Sequence, residues 1–138
     1  MLIKKFQKNI KNNINLCNYS WFNLGGPAEY MFKPNDINQL IDFFKANKKD
    51  KYKITIIGAG SNTLIRDNGV KGIVIKLGKN FSEIKKKGNN IIIAGAAALD
   101  RKISNFAKEH CISNFEFLSC IPGSIGGGVI MNLSLIHI

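Results

Sequence analysis

Histidine is nearly absent from this chain, with only His110 and His137, and the three cysteines Cys17, Cys111 and Cys120 form no C-x-x-C pair. An odd set of scattered thiols builds neither a disulfide framework nor a zinc site, so no metal ligands are expected and reduced thiols of a cytoplasmic protein are the simpler reading. The two histidines have no partners at ligand spacing and are read as structural. No apolar run approaches the ~20 residues of a membrane span, and Met1-Leu2-Ile3-Lys4-Lys5-Phe6 lacks the apolar stretch and cleavage site of a signal peptide. Neither a membrane partner nor a leader is therefore expected. Acidic residues are also scarce, 9 against 20 basic ones, which gives a formal net charge of +11. Such a balance raises nucleic acid as a partner, but the basic residues are mostly scattered lysines. The one tight run, Lys85-Lys86-Lys87, adjoins the turn-like Gly88-Asn89-Asn90 and reads as a solvated hairpin end. No nucleic-acid partner is expected, although a positive field attracts anionic ligands.

What the chain does have is glycine, concentrated in two loops. Gly58-Ala59-Gly60-Ser61-Asn62 follows the apolar run Ile54-Thr55-Ile56-Ile57, and Ile121-Pro122-Gly123-Ser124-Ile125-Gly126-Gly127-Gly128 lies near the end. Glycine tolerates φ > 0 and has no side chain to block approach, so each loop can turn backbone N–H groups toward an anion. Two such loops in 138 residues suggest one large phosphate-bearing ligand, a dinucleotide. The first loop is not a Rossmann fingerprint. Thr63 stands where the third glycine belongs, and Asn68-Gly69 followed by the strand-like Gly72 to Leu77 gives a second strand without an intervening helix. Ser61 and Asn62 add a hydroxyl and an amide donor suited to pyrophosphate. An ordinary glycine turn between strands is the competing reading.

A mixed α+β order surrounds these loops. Ala28 to Lys33 alternates like a strand and stops at Pro34. Asp36 is placed to cap a helix whose apolar stripe, Ile37, Leu40, Ile41 and Phe44, is expected to face the core. Asn90 to Ala94 supplies a further strand. Asp100 begins a second helix with Ile103, Phe106 and Ala107 on one face, ending before Cys111. The segment Lys76 to Asn90 is a plausible seam between two small lobes, and the chain is long enough for one modest core.

Three segments together carry a resemblance. Ser20-Trp21-Phe22-Asn23-Leu24-Gly25-Gly26-Pro27-Ala28, then Gly58 to Asn62, then Phe115-Glu116-Phe117-Leu118 running into Ile121 to Gly128 and Met131-Asn132, resemble the amino-terminal FAD-binding part of the UDP-N-acetylenolpyruvoylglucosamine reductases, or UDP-N-acetylmuramate dehydrogenases (the MurB family). The resemblance implies a p-cresol methylhydroxylase-type FAD fold of two small lobes, about 18–78 and 79–132, preceded by an extension over 1–17 and followed by a tail at 133–138 that departs from the family. It implies FAD as cofactor, NADPH as reductant and UDP-N-acetylglucosamine enolpyruvate as substrate in peptidoglycan synthesis. The complete enzyme is expected to be a cytoplasmic monomer. On this reading Gly58, Gly60, Ser61 and Asn62 cradle the pyrophosphate, and Gly123, Ser124, Gly126 and Gly127 line the pyrophosphate and flavin-proximal region. Ile65, Ile121 and Val129 are candidates for apolar contact with the cofactor. No catalytic residue is assigned, because the family's serine proton donor and its arginine and glutamate are expected beyond residue 138, which is consistent with a truncated gene model. Another FAD oxidoreductase of the same fold and a non-catalytic nucleotide-binding module are the alternative readings.

Overall fold

Isoleucine and valine at successive positions build the centre of the fold, because a strand covered on both faces must be apolar on both. The computed structural model describes residues 2–133; of the expected tail, 134–138 lie outside the described residues. The chain runs through α1 (Leu2–Lys5), β1 (Ile10–Asn15), β2 (Pro27–Phe32), α2 (Ile37–Asp50), β3 (Ile54–Ile57), β4 (Val70–Lys76), β5 (Ile84–Lys87), β6 (Ile91–Ala94), α3 (Asp100–Glu109) and α4 (Ile125–Ile130). The first sheet has the order β1-β2-β4-β3. Strand β4 pairs in parallel with both β2 and β3, whereas β1 joins β2 antiparallel. β2-α2-β3 is thus a parallel crossover with β4 inserted between its strands. The expected strand pair around the first glycine loop is present without an intervening helix, and it runs parallel.

Alternation along β4 divides the apolar interior in two. Ile73 and Ile75 join Leu2, Phe6, Ile10, Phe32 and Phe43 on the α2 side. Val74 joins Leu16, Ala28, Met31, Ile57 and Ile65 on the other. A shift of register between Ala28 and Tyr30 lets β2 place Ala28 with Met31 rather than with Phe32. The segment expected to be an extension contributes directly to both clusters. Leu2, Phe6, Ile10 and Leu16 are all buried, β1 forms a sheet edge, and the Leu2 N–H donates to Asp50 Oδ2 at 2.5 Å.

Helix α2 starts where the sequence places it, with Asp36 Oδ1 accepting from the Gln39 N–H at 2.8 Å. Its expected inward stripe needs correction. Ile37, Ile41 and Phe44 are exposed, and the face turned to the sheet centres on Phe43, with Leu40 and Ala46 at its margins. Phe43 stacks on Phe32 at 4.2 Å between centroids and meets the edge of Phe6 at 5.5 Å. The helix turns to bury its largest interlocking ring, and a simple i, i+3, i+4 template cannot choose between adjacent stripes when Phe43 and Phe44 are both apolar.

The second sheet is the hairpin β5-β6, with Lys85, Lys86 and Lys87 exposed along one arm rather than at its tip. Its own small cluster of Ala98, Ile103 and Leu118 is bordered by Ile84, Ile92, Ala94, Phe115 and Ile125. Helix α3 buries Ile103 and Ala107 as expected.

Candidate functional site

Strand β3 delivers the first glycine loop at the carboxyl edge of the parallel strands, where Ile57 pairs with Lys76, the last residue of β4. Ligands of open parallel sheets bind beyond this edge because the loops there are free of the ladder. Among the described residues, no backbone or side-chain acceptor takes the N–H groups of Ala59, Gly60, Ser61 or Asn62. The loop is nonetheless firmly placed. Gly60 has φ +81°, and a Cβ there would overlap the carbonyl oxygen of Tyr19. Its own carbonyl accepts from the Trp21 N–H at 3.0 Å, and Ser20 Oγ donates to the Thr63 carbonyl at 2.7 Å. Gly60 is therefore needed for close approach of the 19–21 backbone, whatever the ligand.

This bracing leaves an open cleft of about 510 Å³ lined by Asn18, Tyr19, Ser20, Trp21, Asn23, Ala59 and Lys76. The volume lies within the ~300–1,000 Å³ usual for small-molecule sites. The half-buried Lys76 donates through Nζ to the Gly58 carbonyl. Burial, and secondarily the charge of Lys33, lowers its pKa below the ordinary lysine value. Lys33, just past the end of β2, donates to the Tyr19 hydroxyl at 2.9 Å and lies 4.8 Å from the centre of its ring. Sequence reading missed Lys76, Tyr19, Asn18 and Trp21. Lys76 becomes a candidate only once β4 is known to lie beside the strand that feeds the loop.

The second glycine loop reaches the first. Ser61 Oγ donates to the Pro122 carbonyl at 2.5 Å, and the Cβ direction of Gly58 points at Ser124 Oγ, 3.1 Å away, and the Gly127 Cα, 3.7 Å away. Gly58, Ser61, Ser124 and Gly127 are thus brought together. The backbone of the second loop is held by the turn after β6. Ile125 N–H donates to the Ala98 carbonyl at 2.9 Å, and Gly126 N–H to that of Ala96 at 2.9 Å. The amide of Gly126 is committed to Ala96, and a Cβ on Gly126 would stand 2.8 Å from that same oxygen, so this glycine fixes the loop. Gly123 packs against Asp100, with its Cβ direction 2.5 Å from Oδ2. The Asp100 side chain is 2% exposed and its Oδ1 has no hydrogen-bond partner, so burial pushes its pKa up.

The apolar candidates separate. Ile65 is buried in the second cluster and blocks any side chain at Gly25, Ile121 is half-buried, and Val129 is 75% exposed on α4. Asn62 is exposed at the tip of the first loop. Among the described residues no group of histidine, cysteine and acidic side chains is arranged to hold a metal, and no helix is long and apolar enough to cross a membrane.

Comparison with known proteins matches this frame. The model of a family described as FAD binding domain covers residues 28–136. The chain is 52% identical over 134 residues to the UDP-N-acetylenolpyruvoylglucosamine reductase of Pelagibacter ubique, covering 94% of this chain and 44% of that protein. It is 48% identical over 122 residues to the enzyme of the same name from Rickettsia prowazekii, covering 88% and 41% respectively. Among solved structures, the UDP-N-acetylenolpyruvylglucosamine reductase of Thermus caldophilus superposes with a TM-score of 0.70 at 28% identity, over 87% of this chain and 41% of that one. The chain spans less than half the length of these relatives.

Proposed function

The chain belongs to the FAD binding domain family, with its α+β p-cresol methylhydroxylase-type fold, and from that premise we propose that it is the flavin-holding part of a UDP-N-acetylenolpyruvoylglucosamine reductase. The observation that carries the reading is the meeting of two glycine loops, one of which presents uncommitted amides beside a cleft lined in part by Lys76. An FAD diphosphate needs several converging donors and close backbone approach, and this arrangement provides both. The residues fit the group: Ala59, Gly60, Ser61 and Asn62 supply N–H donors, Gly58 supplies close approach, and Ser124 and Gly127 border the diphosphate from the second loop. Gly123 and Gly126 act by shaping that loop. Ile65 packs in the core against Gly25, while Ile121 and Val129 offer apolar surface to the rest of the cofactor.

When bound, FAD supplies the electron chemistry, taking hydride equivalents from NADPH and giving them to the enolpyruvyl group of UDP-N-acetylglucosamine enolpyruvate. The protein's own part is to hold the cofactor in one orientation, which lowers the entropic cost of bringing it to the substrate. The groups that place the substrate and donate its proton are assigned to the portion of the relatives that this chain does not match, consistent with its 44% coverage of the Pelagibacter enzyme. We draw the two lobes on either side of the connection between the two sheets, the first joining α1 and β1 to 18–78 and the second at about 79–132. Nucleotide ligands and free thiols at Cys17, Cys111 and Cys120 suit a cytoplasmic protein.

Flavin fluorescence titration of the 138-residue chain tests the binding claim. FAD is expected to bind more tightly than FMN, and equal affinities overturn the assignment of the loops to a diphosphate. Joining the unmatched carboxy-terminal part of the Pelagibacter enzyme after Asn132 is expected to give NADPH-dependent reduction of the enolpyruvyl substrate that the chain alone lacks. Comparable turnover by the chain alone overturns the placement of the catalytic groups.

A further inference from the structure

Lys33 and Lys76 stand at the carboxyl ends of the neighbouring parallel strands β2 and β4, on the side where the first glycine loop emerges. Among the described residues neither forms an ion pair with a carboxylate. Each is instead held by a neutral oxygen: Lys76 by the Gly58 carbonyl and Lys33 by the Tyr19 hydroxyl. Both anchors border the cleft, since Tyr19 and Lys76 line it and Gly58 opens the loop beside Ala59. The pairing of Phe32 with Ile75 sets the next residues, Lys33 and Lys76, side by side at the ends of the two parallel strands, so their like charges repel, and the charge of Lys33 adds to burial in lowering the Lys76 pKa. A chain with freedom to spread such lysines into water gains nothing by gathering them, yet here Lys76 is half-buried.

We propose that Lys76 and the Tyr19 hydroxyl, which line the 510 Å³ cleft, form with Lys33 at its margin a phosphate-binding subsite, which takes a phosphoryl group that the glycine-loop amides alone do not neutralise. This rests on the dinucleotide reading above and goes beyond it, since backbone amides supply partial charges while the lysines supply whole ones. The Lys76 ammonium can donate two further hydrogen bonds while keeping Gly58. A phosphoryl group between the lysines relieves their repulsion and gains charge-assisted bonds. Tyr19, which receives its hydrogen bond from Lys33, keeps its own O–H free to donate to the same oxygens. Lys76 thereby also fixes the carbonyl of Gly58 and couples the lysine pair to the shape of the loop.

The test measures binding of FAD, ADP and riboflavin by the full chain and by its Lys76→Gln and Lys33→Gln variants, at low and high salt. Lys33→Gln leaves the Gly58 bond untouched, so it separates charge from loop shape. The expected result is a loss of about tenfold in FAD and ADP affinity for Lys76→Gln and about threefold for Lys33→Gln. Riboflavin affinity is expected to stay unchanged, and the salt dependence to flatten in both variants. Competition between ADP and FAD assigns the subsite to the cofactor's own diphosphate, whereas ADP binding to the FAD-loaded chain assigns it to a second nucleotide; either supports it. Unchanged FAD and ADP affinity in both variants overturns the subsite while leaving the dinucleotide reading standing. A riboflavin loss equal to the ADP loss also overturns it, and failure of the unaltered chain to bind FAD overturns the dinucleotide reading itself.

Discussion

Ser61 Oγ donates to the carbonyl of Pro122 at 2.5 Å, a bond that crosses 61 positions of sequence and ties the first glycine loop to the second. Each loop is anchored separately, the first by residues 19–21 and the second by Ala96 and Ala98. Among the described residues the Ser61 bond is a direct polar link between the loops, and on the proposed reading it sets the gap that a diphosphate fits. Replacing Ser61 with alanine is expected to weaken FAD binding by about three- to tenfold and to cost about 1 kcal/mol or less in stability, because the bond is solvent-exposed. Titration and urea denaturation on the same preparation measure both, and unchanged FAD affinity speaks against the loops acting as one site.

Glycines of the two loops are expected to divide by function. Gly60→Val places a Cβ on the Tyr19 carbonyl at φ +81° and is expected to destabilise the fold by at least about 2 kcal/mol even without ligand. Gly127→Ala meets only Ser124 Oγ at 3.4 Å, an ordinary contact, so its stability should stay within about 0.5 kcal/mol of the parent while FAD affinity falls. Denaturation midpoints and flavin titrations separate the two. A stable Gly60→Val protein contradicts the bracing of the first loop.

Phe43→Ala is expected to cost about 3–5 kcal/mol, because it removes a fully buried ring stacked on Phe32. Ile41→Ala, at a position 43% exposed, should change stability by no more than about 0.5 kcal/mol. Chemical denaturation of the two variants shows which stripe of α2 faces the sheet, and similar costs contradict the orientation described here.

Asp100 gives the expected pH dependence. Its carboxyl is buried and its pKa lies above the usual 3.8, so the folded state favours the protonated form. Its position in the first turn of α3 favours the charge, but burial dominates. The contribution is complete below pH 3.8 and is lost as pH rises through the raised folded value. Asp100→Asn, which keeps the shape without the charge, is therefore expected to melt higher than the parent at about pH 7, with the gap closing toward about pH 3. Thermal melts across that range check the sign, and a lower melting temperature at neutral pH means that the charge is stabilising.

Local chemistry was legible wherever it acts over a few residues. Asp36 marked the start of α2, Pro34 the end of β2, and the apolar run Ile54–Ile57 the strand that delivers the first loop. The two glycine loops were legible as backbone built for close approach, because φ preference and the lack of a Cβ are properties of the residue itself, whereas the reading that both turn their amides outward fails at Gly126, whose N–H is taken by Ala96. The three ordered motifs also led to the flavin-binding family, since their spacing is written in the chain.

Relations across the sheet were decided only by tertiary structure. Periodicity could not choose between Phe43 and Phe44, because the choice depends on Phe6 and Phe32, which other elements bring to the same place. The core role of Leu2, Phe6 and Ile10 was hidden because their partners lie on β2, α2 and β4. The same holds for Gly126, whose amide looks free in sequence and is taken by Ala96 in space, and for Lys76, which faces the cleft because β4 is inserted between β2 and β3. Sequence fixes what each residue can do. Long-range packing, where the chain must bury apolar surface and satisfy buried donors at once, decides which residues meet.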